Sequence, residues 1–528
     1  MQSIQDGSTR VKQSDRVITT NLIAMPDEVK TPNETKTPRN EPEPTIEIIT
    51  WTGANDPENP QNWPRRTKLL RSSASLTVIF AIAFASSIFG AAADVTAAEY
   101  GVSQLVMSLG VALFITGFAT GPLVFAPMAE VVGNAPVLAV ALAGCALFQI
   151  PLALAQNVVT ILVCRFLAGM LGSGGLAVGS GILADIYGPI ARGVAVGMSA
   201  SIMNLGSIIA PIAGAYIVDR CGWRWTAWVT LILCGVVGIH AALFLRESSH
   251  NRILMRRAAR LRRETRNMNL RARAEMASLD PHVLLRKYCT KPVRMFIQEP
   301  ILIVMTIYLT LVYGTLYLSY QLFPKAFQNR GWSKPTATLP FISVGLGVLA
   351  ALGVFSLFTM TWYKTRWLSS QKATPEEAAA ATEKGKPSRQ INPEHRLPPM
   401  ILGAVILPPA LLWFGWSGNT HWISQTMACF FIGMALQLIF MSGIVYIVDT
   451  YLVNTVSAIS IHVMVRSLVS AVFPIIEGPM YERLHTNWSA TLLAGLSAVI
   501  MVSPIVFMIY GSRIRSWSRF SVGGNQCS

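Results

Sequence analysis

The chain has 528 residues, of which 52% are hydrophobic and 13% charged, and its mean hydropathy is +0.45. That balance excludes a string of soluble globular domains, in which about a quarter of the residues carry charge. The formal net charge of +16 would suit a nucleic-acid binder, but the cations crowd into one loop without an aromatic ladder or binding motif, which excludes nucleic acid as a partner.

Residues 1–50 are rich in Thr, Pro, Glu and Lys and lack apolar periodicity, which predicts a disordered tail. No cleavable signal is expected there, because the residues are polar and the first apolar run is too long and too late for a signal h-region. A turn-rich segment over 51–68 follows, with Trp51, Asp56-Pro57-Glu58-Asn59-Pro60, Asn62-Trp63-Pro64 and the cations Arg65, Arg66 and Lys68. Two Trp at headgroup level and cations behind them would hold the end of a first span.

Apolar runs longer than the ~18–20 residues that cross a bilayer then recur twelve times, near 69–93, 105–127, 136–155, 158–184, 193–218, 225–245, 299–323, 336–361, 398–417, 424–448, 456–480 and 489–511. The expectation is an all-α membrane protein with twelve transmembrane helices in two six-helix halves, 69–245 and 299–511. Residues 246–298 between the halves form a strongly basic loop, and the positive-inside rule puts it in the cytoplasm. An even number of spans then puts both termini there as well, with the cell membrane as the expected location and the tail 512–528 cytoplasmic. Anionic lipid beneath the 246–298 loop would gain about 1 kcal/mol per cation.

The first span closes on Asp94, a carboxylate that either sits in external water or exchanges a proton. After the second span comes Ala126-Pro127-Met128-Ala129-Glu130-Val131-Val132-Gly133-Asn134-Ala135-Pro136. The fourth carries Arg165, whose charge should face protein or a water-filled cavity rather than lipid. In the fifth, Asn204 is a polar cavity candidate, and Gly206, Ala210 and Gly214 share one face with Pro211 beside them, suited to close helix packing. In the seventh, Tyr313, Tyr317 and Gln321 recur at helical spacing and line either a cavity or a packing face. A polar cytoplasmic insert spans 364–397. The eleventh holds His462 and Arg466 one turn apart, then Glu477 towards the outer end. A free imidazole titrates near neutral pH, so His462 is a candidate for proton exchange or substrate binding, unless it only packs.

Seven cysteines are scattered without a C-x2-C pair, so neither a metal site nor a disulfide framework is expected, and no cofactor. No G-x4-G-K-[ST] loop is present to bind ATP phosphates.

Several of these strings resemble one family. Gly197, Gly206 and Ala210-Pro211-Ile212-Ala213-Gly214-Ala215 are similar to the G-x8-G-x3-G-P-x2-G-G pattern in the fifth span of proton-coupled exporters of the major facilitator superfamily, with two glycines replaced by alanine. Asp56 to Trp63 resembles the lead-in of the fungal twelve-span drug/proton antiporters, and Pro393-Glu394-His395-Arg396-Leu397-Pro398-Pro399 their ninth-span start. The 126–136 turn is similar to the superfamily's gating loop, with Glu130 and Gly133 kept but Asn134 and Ala135 where cations are usual. A gate latched by those cations should be weaker here, or held by other contacts.

The resemblance implies a monomeric secondary transporter in the lipid bilayer that exports a small organic substrate, a drug, secondary metabolite or organic acid, against protons. Arg165, Asn204, Tyr313, Tyr317, Gln321, His462 and Arg466 would bind substrate. Asp94, His462 and Glu477 are proton-coupling candidates, and Glu130, Gly133, Gly206, Pro211 and Gly214 serve gating and packing. A transporter-like sensor that binds without net transport is the alternative. An enzyme is not expected, since neither a metal-ligand cluster nor an activated nucleophile is present.

Overall fold

The computed structural model describes residues 47–53, 55–276, 288, 290–371 and 392–520. Most of the expected tail and insert lies outside these residues, as does the side chain of Glu477. Among the described residues twelve helices are long and apolar enough to cross a membrane. The first six are Arg65–Tyr100, Gln104–Val132, Asn134–Ala153, Val158–Ile186, Ile190–Cys221 and Arg224–Phe244. The other six are Pro300–Gln328, Thr336–Ser369, Pro398–Trp416, Trp422–Thr450, Thr455–Ile476 and Gly478–Ser516. They are called the first to twelfth spans below.

Burial sorts these spans into inner and outer ones. The first, seventh and tenth are the most enclosed, whereas the sixth turns Ile232, Val236, Ile239 and Leu243 outwards, as a lipid-facing helix must. Within each half, glycines bring backbones into contact. A Cβ on Gly169 would strike the Phe114 carbonyl of the second span, and one on Gly347 would strike the Phe430 carbonyl of the tenth. The two crossings, second on fourth and eighth on tenth, are equivalent in the two halves. The halves themselves meet where the second span packs on the eleventh and the fifth on the eighth.

Some boundaries move from where hydropathy puts them. The first span changes to a 3-10 turn at Ile88–Ala92 and continues helical to Tyr100, because Asp94 and Glu99 lie in a segment that packs on the second span rather than in a loop. The eighth runs through a π turn, Thr359–Tyr363, into a helix ending at Gln371, since nothing between Lys364 and Gln371 breaks it.

The face that carries the 246–298 loop is the loop face, and the opposite one the far face. On the loop face a helix, His250–Thr265, is capped by chain from both directions. Strand β1 (Glu47–Ile49) pairs in parallel with β2 (Leu270–Ala272), and Ile49 packs on Ala258, Leu270 and Ala272. Residues 47–49 are therefore ordered, unlike the tail expected over 1–50; three residues give no periodicity to read. Asp56 accepts from Arg257 Nη1 at 2.6 Å, Arg260 pairs with Glu58 at 2.9 Å and Arg262 with Glu275 at 2.8 Å. Part of the basic loop's charge is thus neutralised within the chain.

Candidate functional site

Between the halves, on the loop-face side of the centre, lies a cavity of about 280 Å³. The second, fourth and fifth spans supply one wall, including Phe118, Leu176 and Met203; the tenth and eleventh supply the other, including Phe440, Met441 and Val463. The lining is apolar apart from a few hydroxyls and two cations, Arg192 near the loop face and Arg466 at the inner end, and it contains no carboxylate among the described residues.

Arg466 is 3% exposed. Its guanidinium carbon stands 4.2 Å from the centre of the Tyr313 ring and 5.1 Å from that of Phe440. Those rings attract the cation through their π faces, yet Nε has no hydrogen-bond partner and no described carboxylate pairs with the group. His462, one turn earlier, faces the seventh span instead of the cavity: Nδ1 lies 3.3 Å from Thr306 Oγ1, and Nε2 is unpartnered.

From Tyr313 an aromatic column climbs the seventh span. The Tyr313 and Tyr317 hydroxyls are 3.3 Å apart, and the Tyr317 and Tyr320 rings meet edge to face at 5.4 Å. Tyr317 also reaches Ser86 Oγ in the opposite half at 3.3 Å. Tyr317, Tyr320 and Gln321 open onto a second cavity of about 460 Å³ on the far-face side, with Pro211 and Asp94. Tyr313 and Tyr317 therefore stand between the two cavities. Asp94 itself sits at the rim, half exposed, hydrogen-bonded by Gln104 Nε2 at 2.5 Å and 3.9 Å from Lys334 Nζ of the other half.

Asn204 does not line either cavity. It donates to Gln437 Oε1 of the tenth span, and Gln437 Nε2 donates to Ser201 Oγ at 2.8 Å, so a buried polar bridge joins the halves. Gln437 was not singled out in the sequence, although a lone amide inside an apolar run is a signal.

Arg165 is placed quite differently from Arg466. It lies inside the first half, where Nη1 and Nη2 donate to the Ala85 and Ser86 carbonyls at 2.7 Å and Nε to the Gly110 carbonyl at 3.0 Å. These carbonyls lie in the first and second spans, the former just before the 3-10 turn. The cation ties three helices together rather than walling a cavity. Gly206 and Gly214 meet the first span's backbone at Phe80 and Ile88, where a Cβ would sit 2.6 Å and 2.9 Å from carbonyl oxygens.

The loop face holds two related clusters. In the first half Gly133 ends the second span at φ 106, and the Glu247 carboxylate caps the third span, accepting from the Asn134 and Ala135 N–H groups at 3.0 and 3.4 Å. Asn134 Nδ2 donates to Asp185 at the end of the fourth span, at 2.9 Å, and Glu130 meets the Tyr288 hydroxyl. Neutral and backbone donors thus occupy the place where cations are usual. In the second half the corresponding contacts are ionic: Arg396 with Asp449 at 2.9 Å, and Arg515 with Glu394 at 2.8 and 2.9 Å. Arg396 also reaches across, with Nη1 2.8 Å from where a Cβ on Gly193 of the fifth span would be. Neither Arg396 nor Arg515 was read from sequence as a site residue.

This architecture agrees with known proteins. A proton:xylose symporter structure superposes with a TM-score of 0.60 at 15% identity, covering 85% of this chain and 96% of that one, which establishes the fold. An ascochitine biosynthesis cluster transporter of Didymella fabae is 40% identical over 90% of this chain and 89% of its own. A multidrug transporter of Candida glabrata is 33% identical over 90% and 82%. The profile described as Major Facilitator Superfamily matches residues 75–474, and with these fungal relatives it shows that the chain is a transporter belonging to the major facilitator superfamily.

Proposed function

We propose that the protein exports a small organic compound, a drug, secondary metabolite or organic acid, by alternating access, with protons flowing the other way. The observation that carries this reading is the pair of cavities lined by residues of both halves, with the Tyr313–Tyr317 hydroxyl contact between them and the Asn204–Gln437 bridge joining the halves. Rocking of the halves about such a barrier would expose a central site to each face in turn. The basic 246–298 loop favours a cytoplasmic loop face, hence cytoplasmic termini and outward movement from the loop-face cavity, at the cell membrane. Relatives named for a biosynthesis cluster and for multidrug transport favour metabolite or drug cargo. His462, buried between the seventh and eleventh spans with one nitrogen unpartnered, is the proton-coupling group that the geometry favours over the rim carboxylate Asp94.

Purified protein in vesicles with an imposed pH gradient tests this. Gradient-driven movement of a metabolite or drug panel is the expected result. Binding without flux under any gradient would instead make the chain a sensor.

A further inference from the structure

We infer that the loop-face cavity is built for an organic anion: a compact, largely aromatic body whose carboxylate or similar oxyanion pairs with Arg466. This deepens the transport reading of the same cavity and rests on it. Four arginines are buried in the described structure: Arg165, Arg396, Arg466 and Arg515. Arg165 is held by three carbonyls, Arg396 by Asp449 and Arg515 by Glu394. Only Arg466, the one on the wall of the inter-half cavity, has no hydrogen-bond or ionic partner among the described residues. A buried cation without a counter-charge is costly, and the two aromatic rings over its guanidinium compensate only in part.

A bound anion would supply the missing partner. Guanidinium and carboxylate match as a planar fork, so a single oxyanion can accept two N–H bonds from Arg466. With no carboxylate on the lining among the described residues, an incoming anion meets no like charge there, and Arg192 nearer the loop face adds to the attraction. The remaining walls, Phe118, Met203, Phe440 and Met441, suit a flat apolar body, the methionines adapting to its outline. At about 280 Å³ the space falls just below the usual range of ligand cavities, about 300–1,000 Å³, which calls for a compact ligand.

The test uses the full chain purified in detergent and three aromatic probes, benzoate, 1-naphthoate and anthracene-9-carboxylate, each beside its primary amide and its aminomethyl analogue. Binding is read from tryptophan fluorescence and from thermal shift. At least one carboxylate should bind about tenfold or more tightly than its amide, and Arg466→Gln should erase that preference while Arg466→Lys keeps part of it. Ser199→Trp, which fills the cavity and leaves Arg466 in place, should abolish binding altogether and covers the case in which Arg466→Gln fails to fold. Amides or amines binding as well as carboxylates, a preference that survives Arg466→Gln, or no carboxylate binding at all would each overturn the inference. In vesicles, carboxylate preference without gradient-driven flux sinks the transport reading and spares this one; flux of neutral or cationic compounds without that preference does the reverse.

Discussion

The guanidinium carbon of Arg466 lies 4.2 Å from the centre of the Tyr313 ring, and Tyr313 is also the first member of the aromatic column that leads to the far-face cavity. One ring therefore contacts both the cation of the inner cavity and the barrier above it. A buried cation–π contact is worth up to about 2 kcal/mol. Tyr313→Leu should lower flux severalfold at equal surface amount, whereas Tyr313→Phe, which keeps the ring and loses only the hydroxyl contact, should stay within about twofold. Flux normalised to surface-labelled protein checks both; equal effects of the two changes would show that the hydroxyl, not the ring, matters.

The other intramembrane arginine has the opposite expectation. Removing Arg165 leaves the Ala85, Ser86 and Gly110 carbonyls without their donor in a dry interior, and each unsatisfied group costs about 1–3 kcal/mol. Arg165→Ala should cut the amount of folded protein reaching the membrane several-fold, with little change in KM for the protein that does. Arg466→Ala should do the reverse, lowering flux more than surface amount. Fluorescence-detected size exclusion alongside uptake kinetics separates the two cases.

That contrast marks what a sequence can show. Twelve spans were legible because the length of an apolar run is itself the physical signal. The roles of Arg165 and Arg466 were not, because both are single cations in apolar segments and what separates them is backbone carbonyls, which every residue carries. The pairing of Gln437 with Asn204 was not legible, because the two lie on helices of opposite halves and no local pattern links them, even though an amide inside an apolar run was itself a signal. Asp56 belonged to a noted string, but Arg257, the residue it pairs with, was one of many similar cations in the basic loop. The seventh-span tyrosines were read correctly as sharing a side, since helical spacing alone places them there.

Asn204 and Gln437 give a prediction about the two halves as one mechanical unit. Their hydrogen bond, continued to Ser201, is buried and crosses the interface, so breaking it should loosen the halves by about 1 kcal/mol net. Gln437→Ala, which also removes the bond to Ser201, should lower the melting temperature in detergent at least as much as Asn204→Ala, and the double variant should lose less than the sum of the two, because the Asn204–Gln437 bond is counted in both single losses. Additive losses would mean the two amides act separately.

On the loop face, burial pushes the Asp56 carboxyl up, but the Thr52 N–H, the Arg257 guanidinium and the Glu58 N–H together outweigh it and hold its pKa at about 2, below the ordinary 3.8. A depressed folded pKa contributes stability that is complete above the unfolded value and is lost as pH falls from about 4 through about 2; the amount is on the order of 2 kcal/mol. Pepsin should spare the 47–63 segment at pH 5 and cut it increasingly below pH 4. Asp56→Asn should mimic acid at neutral pH, with Arg257 and Arg260 becoming sensitive to trypsin. Unchanged trypsin sensitivity in that variant would mean the β1–β2 pairing holds the cap without the ion pair.

The unequal clusters on the loop face predict unequal gates. In the second half Arg396 is almost wholly buried, pairs with Asp449 and abuts Gly193 of the fifth span, so it joins the ninth and tenth spans to the opposite half. In the first half the corresponding contacts, Asn134 to Asp185 and Glu247 to the start of the third span, stay within that half. Closure on the loop face should therefore depend on Arg396 more than on Asn134. With Ser199→Cys as a reporter on the cavity wall, Arg396→Gln should raise its labelling by a membrane-impermeant maleimide added from the loop face several-fold, because losing the ion pair and the contact at Gly193 frees the halves to part. Asn134→Ala should change the rate by less than about twofold. Equal acceleration by both variants would place the closing contact in the within-half clusters and leave the reach of Arg396 to Gly193 without a gating role.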